Sequence, residues 1–326
     1  MKKILITGGA GFIGSYLVKH FTEKYPGYII VNIDSLTYAS NYEIIKHLEL
    51  YENYSFLNLD IRNTDSIIKL FRKYNFDTVI NLAAESHVDN SILKPDLFIE
   101  TNILGTINLL NIAKEIWLNS DTKGKVFYQI STDEVYGSLG DMGSFKEESR
   151  YSPRSPYSAS KASADHFVMA YNHTYKIPVI ISNCSNNFGP SQHKEKLIPK
   201  IVSCLINKIK IPIYGDGSNI RDWLYVGDHV QAIDSILHNG KIGESYNIGG
   251  GNELSNLNLV KEIIKIFNSS DSDIDINDYI DFVEDRKGHD YRYSVDYSKL
   301  KSQLNWQPEA DFSLYLRKTI DWYRNN

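Results

Sequence analysis

The segment KILITGGAGFIG, residues 3–14, decides the fold of this chain. A short apolar run leads into a turn in which Gly8, Gly11 and Gly14 follow the spacing G-x-x-G-x-x-G, and Gly9 completes the tighter G-x-G-x-x-G. Glycines permit a tight turn and let backbone N–H groups approach a pyrophosphate. A helical pattern over residues 12–24 follows, and a helix N-terminus favours that negative charge. The segment therefore predicts a strand–turn–helix unit that binds a dinucleotide.

Asp34 is the acidic partner expected for such a turn. It ends the next strand-like run, residues 28–33, and lies 20 residues beyond Gly14, close to the usual spacing. Its carboxylate can accept both ribose hydroxyls and would repel a 2′-phosphate, so the sequence predicts NAD rather than NADP. No G-K-[ST] follows, which excludes a Walker A loop. An ordinary strand–helix turn that needs glycines for packing stays open as the alternative.

Strand-like and helix-like segments alternate through the first half of the chain. The strands are apolar on both faces, which is typical of a parallel sheet covered by helices on both sides. We predict an α/β fold: an NAD-binding, Rossmann-type doubly wound parallel sheet over residues 1–184, and a smaller C-terminal α/β substrate-binding domain over 185–326, with segments such as 222–244 free to return to the sheet. The predicted strands are 3–7, 28–33, 54–60, 78–84, 125–131 and 178–184, and the predicted helices are 12–24, 64–74, 92–118, 156–176 and 312–326.

Composition restricts the class of protein. The chain has 326 residues, 42% of them hydrophobic, and a formal net charge of -5 without a long run of Lys or Arg. Nucleic-acid and membrane-surface roles are therefore disfavoured, and no apolar run approaches the roughly 20 residues of a membrane helix. The two cysteines, Cys184 and Cys204, form no disulfide framework, which predicts a cytoplasmic protein. The scattered histidines predict no metal site.

Tyr157 and Lys161 form a second pattern with chemical meaning. An i, i+4 spacing places both side chains on one face of a helix. A nearby ammonium and the positive nicotinamide ring would favour the tyrosinate, which makes a base for removing a proton from an alcohol. A pair that merely decorates a helix surface stays open as the alternative.

The stretch STDEVYGS, residues 131–138, follows another buried strand. Alcohol oxidation does not require Asp133 and Glu134, whereas a β-elimination requires two further proton transfers. Glu134 could remove a proton from carbon, and Asp133, protonated in its pocket, could protonate a departing hydroxide. That role requires a raised pKa for Asp133, through burial or its like-charged neighbour. Alternatively, the pair caps the helix that follows the strand.

These features resemble the extended short-chain dehydrogenase/reductase superfamily, in which a Ser or Thr at a strand end completes the Tyr–Lys site, and Thr132 stands in that place. STDEVYGSLG resembles more specifically the signature of the dTDP-glucose 4,6-dehydratase family, whose relatives that are plain 4-epimerases or decarboxylases have an incomplete Asp–Glu pair. Similar stretches cover nearly the whole chain: ILITGGAGFIGS, D-x-LTYA (34–39), NLAAESHVD (81–89), SPYSASKASAD (155–165), CSNNFGP (184–190), EKLIP (195–199), YGDGSNIRDWLYV (214–226), YNIGGGNE (246–253) and DRKGHDYRYSVD (285–296).

The resemblance implies an NAD-dependent dehydration of a nucleoside diphosphate hexose, dTDP-glucose above all, to the 4-keto-6-deoxy sugar. The residues implied for the chemistry are Thr132, Asp133, Glu134, Tyr157 and Lys161. Those implied for NAD are Gly8, Gly11, Phe12, Ile13, Gly14, Asp34, Ser35, Leu36, Thr37, Asp60, Ile61, Leu82, Ala83, Ala84, Ser86, Thr101, Tyr157, Lys161 and Asn187. Those implied for the substrate, bound by residues 185–326 for the most part, are Ser86, Thr132, Asn186, Lys196, Leu197, Arg221, Asn256, Arg286 and His289.

Several residues keep simpler interpretations. Asp60 could reach the adenine or could be the N-cap of a helix beginning near Thr64. Arg221 could pair with Asp222 or Asp216 instead of a phosphate, and Arg286 with Asp285 or Asp290.

The chain also departs from the family pattern. Asn90 and Asn183 stand where Arg is usual, Lys287 replaces a Pro, and SQHKEK (191–196) replaces a more aromatic segment. These departures concern the nucleotide pocket and subunit contacts. The resemblance implies a homodimer through helices near 97–117 and 156–176, which could instead only cover the sheet. The rival functions are a nucleotide-sugar 4-epimerase or decarboxylase on the same scaffold, and a non-catalytic NAD-binding sensor.

Overall fold

A seven-stranded parallel sheet forms the centre of the protein, whose computed structural model describes residues 1–119, 122–269 and 275–326. The strand order is β10-β6-β5-β4-β1-β2-β3, and every neighbouring pair is parallel. This arrangement confirms the predicted Rossmann-type sheet. The strands are β1 (Lys3–Thr7), β2 (Ile29–Asp34), β3 (Tyr54–Asn58), β4 (Thr78–Asn81), β5 (Val126–Thr132), β6 (Val179–Cys184) and β10 (Ser245–Ile248).

Helices cover both faces of this sheet. On one face Leu17 and Phe21 of the first helix share a core with Ile233, and on the other Phe71, Leu109 and Trp117 are fully buried. Apolar strands enclosed on both sides are what a parallel sheet requires. The helices are α1 (Phe12–Lys24), α2 (Tyr42–Ile45), α3 (Thr64–Tyr74), α4 (Val88–Leu93), α5 (Pro95–Phe98), α6 (Thr106–Leu118), α7 (Pro156–Tyr175), α9 (Val226–Asn239) and α11 (Ser298–Leu304).

The single helix predicted over residues 92–118 is wrong. The chain forms α4, then α5, then a π-helical segment, Ile99–Gly105, before α6 begins. Pro95 explains the first break, because proline disfavours a helical conformation in the preceding residue, and Lys94 has φ -139° and ψ 68°. The strands predicted at 54–60 and 78–84 are also shorter, ending at Asn58 and Asn81.

The C-terminal part has a core of its own. Ile198, Val202, Ile263 and Leu316 are fully buried there between helices and two small sheets. Strand β10 and helix α9 come from this half of the sequence but join the seven-stranded sheet and its cover. The remaining elements are β7 (Asn186–Phe188), α8 (Leu197–Ile206), β8 (Ile211–Tyr214), β9 (Ile220–Tyr225), β11 (Glu253–Ser255), α10 (Asn256–Asn268), β12 (Ile280–Val283) and α12 (Phe312–Asn325). In the described ranges, no helix has the length and apolar character needed to cross a membrane.

Candidate active site

A cavity of about 510 Å³ opens at the carboxyl ends of the sheet strands, where ligands bind in open parallel sheets. It brings together most of the residues singled out in the sequence. Its lining includes Gly8, Gly11, Phe12, Ile13, Gly14, Asp34, Ser35, Thr37, Asp60, Ile61, Leu82, Ala83, Ala84, Ser86, Thr101, Thr132, Asp133, Glu134, Tyr157, Lys161, Asn186, Asn187 and Lys196. Leu36, Leu197, Arg221, Asn256, Arg286 and His289 do not line this cavity.

The glycines of the turn have two different roles. Gly8 and Gly14 allow close packing, and Gly11 leaves space for a ligand. A Cβ on Gly8 would lie 2.7 Å from the backbone N of Ala83, and one on Gly14 would lie 2.1 Å from the carbonyl oxygen of Gly8. Packing therefore requires glycine at both positions, and Gly8 also has a left-handed φ of 73°. A Cβ on Gly11 would meet only the carbonyl oxygen of Gly8, at 3.2 Å, and α1 begins there without a side-chain cap. Its first N–H groups therefore face the cavity as an anion site, which fits the predicted dinucleotide.

Asp34 is buried at the end of β2 and lines the cavity. Its Oδ1 accepts hydrogen bonds from Leu36 N and Ser40 Oγ, both at 2.8 Å, and its Oδ2 accepts one from Ala10 N at 2.9 Å. A carboxylate has about four acceptor positions. The protein therefore orients the group rigidly and leaves capacity for about one further donor, such as a ribose hydroxyl.

Asp60 is not the N-cap of α3. That position belongs to Asn63, whose side chain accepts from Ser66 N at 3.1 Å. The Asp60 carboxylate instead holds the guanidinium of Arg62, with Nη2 to Oδ2 at 2.7 Å. Both side chains line the cavity beside Ile61.

The catalytic candidates at the end of β5 follow directly from the local chain path. All seven residues of β5 are buried, and a short 3₁₀ helix, Asp133–Tyr136, begins immediately after Thr132. The capping oxygen is that of Thr132, which accepts from Glu134 N at 3.3 Å and donates to Asp133 Oδ1 at 3.2 Å. The acidic pair therefore does not occupy the capping position, although both carboxylates stand in the first turn of this helix, as that alternative expects. Both residues also line the cavity.

Burial sets the protonation of the acidic pair. Asp133 is 2% exposed, and its Oδ2 has no hydrogen-bond partner among the described residues. Burial raises the pKa of Asp133 well above its usual value, and the negative charges of Glu134 and Asp222 raise it further. The pKa of Glu134 is also raised by burial, but the positive charges of Arg221 and Lys196 oppose the shift. Asp133 is thus suited to donate a proton, and Glu134 is the better base of the two.

Tyr157 and Lys161 are placed by a capping box at the start of α7. Ser155 and Ser158 exchange hydrogen bonds there, which holds Tyr157 in the first turn of the helix. Lys161 lies one turn later, and its Nζ donates to the carbonyl oxygen of Ile130 at 2.7 Å.

The pKa of Tyr157 departs from the sequence prediction. Burial and the negative charges of Glu134 and Asp133 raise it well above its usual value, instead of the lysine lowering it. Burial likewise lowers the pKa of Lys161, although Asp165 opposes that shift. Tyr157 therefore holds its proton firmly, and its deprotonation requires additional positive charge in the site.

The positively charged candidates lie close enough to the acidic pair to lower the pKa of Glu134 by their charge. Arg221 pairs with neither Asp222 nor Asp216: Nη2 donates to Asp290 O at 3.0 Å, and the guanidinium lies 4.4 Å from the ring centre of Tyr293. Asp222 instead accepts from Gly250 N and Asn252 N. The carboxylate alternatives for Arg221 are therefore wrong.

Arg286 forms an ion pair with a residue that is distant in the sequence. Its guanidinium binds Asp89 in a bidentate pair, with Nε to Oδ1 at 2.6 Å and Nη2 to Oδ2 at 3.1 Å; only its backbone N donates to Asp285 Oδ1, at 2.7 Å. His289 holds Asp285 at 2.7 Å. Lys196 Nζ donates to Ser86 O at 3.1 Å. Arg221, Lys196 and Arg286 all lower the pKa of Glu134 by their charge, so they form one positive region beside the acidic pair.

The other predicted residues outside the cavity lie at element ends. Leu197 and Asn256 are the first residues of α8 and α10, and Leu36 has φ 52° in the turn after β2. Several lining residues were not predicted. Tyr38 and Ser40 follow Asp34 within or beside the LTYA stretch, and Glu85 lies within NLAAES, so their motifs were available signals. The remaining unpredicted polar lining residues include Arg62, Gln192, His193 and Glu195.

Comparison with known proteins agrees with this architecture. A family model described as GDP-mannose 4,6 dehydratase matches residues 5–319. The chain is 48% identical to a probable dTDP-glucose 4,6-dehydratase from Sinorhizobium fredii, over 99% of this chain and 93% of that protein.

Solved structures give the same result. The dTDP-glucose 4,6-dehydratase from Bacillus anthracis in complex with NAD is 42% identical, with a TM-score of 0.88 over 100% of this chain and 97% of that one. The enzyme from Streptomyces venezuelae with NAD and TYD bound is 40% identical, with a TM-score of 0.91 over 99% and 97%. The three relatives just described carry the name dTDP-glucose 4,6-dehydratase, in one case as a probable one, and the chain belongs to the GDP-mannose 4,6 dehydratase family.

Proposed function

We propose that this protein is an NAD-dependent hydro-lyase that converts a nucleoside diphosphate hexose, dTDP-glucose, to its 4-keto-6-deoxy product. One observation carries the proposal: the buried carboxylate of Asp133 and the partly buried carboxylate of Glu134 lie in the same cavity as Tyr157 and Lys161. Oxidation alone has no use for the acidic pair, whereas loss of water requires an acid and a base. The names of the relatives support the same substrate.

NAD is the cofactor that the cavity fits, at the uncapped N-terminus of α1 and the carboxylate of Asp34. When bound, it supplies the hydride acceptor and donor for the carbons of the sugar. The cofactor residues proposed are those named above from Gly8 to Asn187; Leu36 contributes through the turn that orients Asp34, whose Oδ1 accepts from Leu36 N.

Tyr157 and Thr132 act first in the proposed chemistry. Tyr157 takes the proton of the C4 hydroxyl, and the Thr132 hydroxyl hydrogen-bonds the same oxygen. Because the pKa of Tyr157 is raised even with Lys161 one helical turn away, its phenolate depends on additional positive charge, which the nicotinamide ring of bound NAD would supply. A ketone at C4 then makes the proton on C5 acidic.

Glu134 and Asp133 carry out the elimination. Glu134 removes the C5 proton, and Asp133 protonates the C6 hydroxyl as it leaves as water. The raised pKa of Asp133 favours its protonated form, as the proposed general acid requires. The like-charged neighbours are thus separated into a base and an acid by the positive residues near Glu134.

The diphosphate would be held by the positive region formed by Lys196, Arg221 and Arg286, with His289, Asn186, Leu197, Asn256 and Ser86 around it. Guanidinium forks suit phosphate oxygens. Arg286 is already bidentate with Asp89, so a phosphate must share or displace that carboxylate. This division of tasks assigns NAD to residues 1–184 and the sugar nucleotide mainly to 185–326.

A homodimer is proposed through the helices near residues 97–117 and 156–176. Large apolar side chains are exposed there, including Leu104 at 54% and Phe167 at 41%. Such side chains on neighbouring helices are typical of an interface. A cytoplasmic location is proposed because both cysteines are buried free thiols, as expected in a reducing compartment.

The deciding experiment incubates the purified protein with NAD and dTDP-glucose in D₂O. We expect a product lighter by one water, which develops the base-induced absorbance of a 4-keto sugar and carries solvent deuterium at C5. A 4-epimerase would return an isomer of unchanged mass, and a decarboxylase would release CO₂ only from a uronic acid substrate. No product from any of the dTDP-, UDP-, CDP- and GDP-hexoses would favour the sensor and contradict the proposal.

A further inference from the structure

Asp165 is a buried acidic residue that the proposed reaction does not use. It lies on α7, four residues after Lys161 and eight after Tyr157, so the three side chains follow one face of the helix. Asp165 is 1% exposed and does not line the active-site cavity. A buried carboxylate is costly unless it has hydrogen-bond donors or an opposite charge nearby. The contacts of Asp165 identify both.

Hydrogen bonds link Asp165 to the strand end that carries Thr132. Its Oδ2 accepts from Ser131 Oγ, on the residue directly before Thr132, and from Tyr151 Oη at 3.2 Å. The Nδ2 of Asn183 donates to the same Tyr151 oxygen and to the carbonyl oxygen of Thr132, both at 3.2 Å. Asp165 is therefore connected to the last two residues of β5, once directly and once through Tyr151 and Asn183.

The opposite charge is the ammonium of Lys161. Lys161 is 4% exposed, and its Nζ donates to the carbonyl oxygen of Ile130, the strand residue before Ser131, at 2.7 Å. Burial lowers the pKa of Lys161, whereas the negative charge of Asp165 raises it. The effect is mutual, because burial raises the pKa of Asp165 to about 6 and the charge of Lys161 opposes that shift. At neutral pH Asp165 is therefore mainly ionised, and it favours the charged form of the lysine.

Other titratable groups face this pair from neighbouring elements. Burial raises the pKa of Cys184, on β6, to about 12, and it raises the pKa values of Tyr136 and Tyr151 above their usual value. These three groups keep their protons in mildly alkaline solution. The side chains that line a cavity beside Asp165 and are partly or largely exposed include Glu147, Arg150 and His166. A loss of positive charge beside Asp165 as the pH rises is therefore assigned to Lys161.

We propose that Asp165 is a positioning residue for the oxidation step, which holds the end of β5 against α7 and keeps the Lys161 ammonium charged one turn from Tyr157. This inference rests on the proposed function. Its two parts can be separated, because hydrogen bonds place the strand end of Thr132, whereas charge acts on Lys161. An aspartate that only stabilised the fold would not change the pH profile of the oxidation.

The test measures C4 oxidation of dTDP-glucose over a range of pH, by the single-turnover absorbance of the reduced nicotinamide. Asp165→Asn keeps the shape of the side chain and removes its charge. We expect the pH at which oxidation declines on the alkaline side to fall by about one unit, the size of shift that a nearby charge produces. Asp165→Glu restores the charge, so its alkaline decline should return to the wild-type pH even where its rate is lower.

Two further variants separate charge from structure. Asp228→Asn is the matched control, because Asp228 is 5% exposed and accepts hydrogen bonds from the backbone N atoms of Glu309 and Ala310, outside the active-site cavity. It should leave the alkaline decline unchanged. Ser131→Ala removes the donor that links Asp165 directly to β5 and keeps the charge. It should slow the oxidation severalfold without moving the pH of the decline.

A double-mutant cycle in urea tests the coupling of the two charges without catalysis. At about pH 7.5, Asp165→Asn combined with Lys161→Met should destabilise the protein by less than the sum of the two single losses, because each single variant leaves a buried charge without its partner. The coupling should shrink at about pH 5, where Asp165 is mainly protonated because its pKa is about 6.

Asn183→Arg keeps the proposal testable if Asp165→Asn does not fold. The side chains of Asn183 and Asp165 both bond the hydroxyl oxygen of Tyr151 at 3.2 Å, so an arginine there would bring positive charge beside Asp165 and Lys161. The alkaline decline should again move to lower pH. A decline at the wild-type pH in both variants, or additive losses in the cycle, would overturn the proposal. If the wild type reduces no NAD with dTDP-glucose, the proposed function fails by itself, and the cycle still decides whether Asp165 holds the charge of Lys161.

Discussion

Asp133 and Asp234 are both almost completely buried, yet their environments drive their pKa values in opposite directions. Asp133 has one neutral donor, Thr132, and negative neighbours, so burial raises its pKa. Burial would also raise the pKa of Asp234, but hydrogen bonds from His20, His238, Lys24 and Tyr25 lower it well below the usual range. The difference teaches that the number and charge of the donors, and not burial alone, decide whether a buried aspartate holds a proton.

The two surroundings suit two different tasks. Asp234 lies on α9 and binds three residues of α1 and its end, with His20 Nε2 at 2.7 Å, Lys24 Nζ at 2.6 Å and Tyr25 Oη at 2.7 Å. It thereby joins the two helices that cover one sheet face. By contrast, no described residue donates a hydrogen bond to Oδ2 of Asp133. A carboxyl group left without donors is available for proton transfer, whereas a fully used one holds structure together.

The largest expected effect is on catalysis. In Asp133→Asn, the rate of 4-keto-6-deoxy sugar formation should fall by about 10²–10⁴-fold, the range for loss of a general acid. Oxidation at C4 should persist, because Tyr157, Thr132 and Lys161 are unchanged. Single-turnover absorbance of the reduced nicotinamide measures the first step, and mass spectrometry measures the loss of water. Product formation at the wild-type rate would remove Asp133 from the elimination.

The second effect is on stability. Asp234→Ala removes the acceptor shared by two histidines, a lysine and a tyrosine, and should lower the free energy of unfolding by about 2–4 kcal/mol, measured by urea denaturation. The lower end is favoured because Lys24 is 53% exposed and His20 is 25% exposed. Asp321→Ala is the matched control on α12. Its contact with Arg324 is 4.0 Å long and exposed, so its cost should be near zero. Equal losses in both variants would mean that the contacts around Asp234 contribute nothing specific.

The pH dependence of the two sites should have opposite signs. The folded pKa of Asp234 is lowered, so its contribution is present above the unfolded pKa of about 3.9 and is lost as pH falls toward the folded value. The folded pKa of Asp133 is raised, so its burial costs stability that grows as pH rises above about 3.9. At pH 7 Asp133→Asn should therefore be more stable than wild type and Asp234→Asn less stable, and both differences should shrink in acid. Urea denaturation at several pH values measures this, and two curves of the same sign would contradict the comparison.

Features that depend on local spacing could be predicted from the sequence, whereas features that depend on tertiary packing could not. The glycine turn, the Tyr157–Lys161 pair and the segment after β5 depend on spacing within one element, and parallel strands bring their carboxyl ends to one edge. The sheet and most of the residues that line the cavity could therefore be predicted from the sequence. Arg286 with Asp89, 197 residues apart, and Asp234 with α1 depend on tertiary packing, which local spacing does not encode. The break between α4 and α5 could have been predicted from Pro95, but the helical pattern over residues 92–118 suggested one continuous helix. Asn63 could have been predicted as the N-cap of α3, but the nearby Asp60 was considered instead.

The departures from the family pattern differ in how clearly the structure explains them, because some of the substituted side chains are buried and others are exposed. Asn183 for a usual Arg has a visible consequence, since Asn183 is buried and its Oδ1 is unused. Lys287 for Pro is exposed, and nothing in the structure explains it. A substitution gives a clear structural signal when it leaves a buried partner without its donor, and little signal when water can replace the contact.

The smallest effects test that last statement within the Asp234 cluster itself. Lys24→Met removes the most exposed donor and should cost about 0.5 kcal/mol or less, because solvent screens the pair. Tyr25→Phe removes a neutral donor to the buried carboxylate and keeps the ring stacked on Tyr28 at 4.7 Å; it should cost about 1 kcal/mol, measured by the same urea titration. A neutral hydrogen bond would then contribute more than a formal ion pair of similar length, because Tyr25 is partly buried whereas the Lys24 side chain is 53% exposed and water replaces it more readily. If Lys24→Met were the more destabilising of the two, charge would outweigh burial at this carboxylate, and the contrast with Asp133 would have to rest on charge alone.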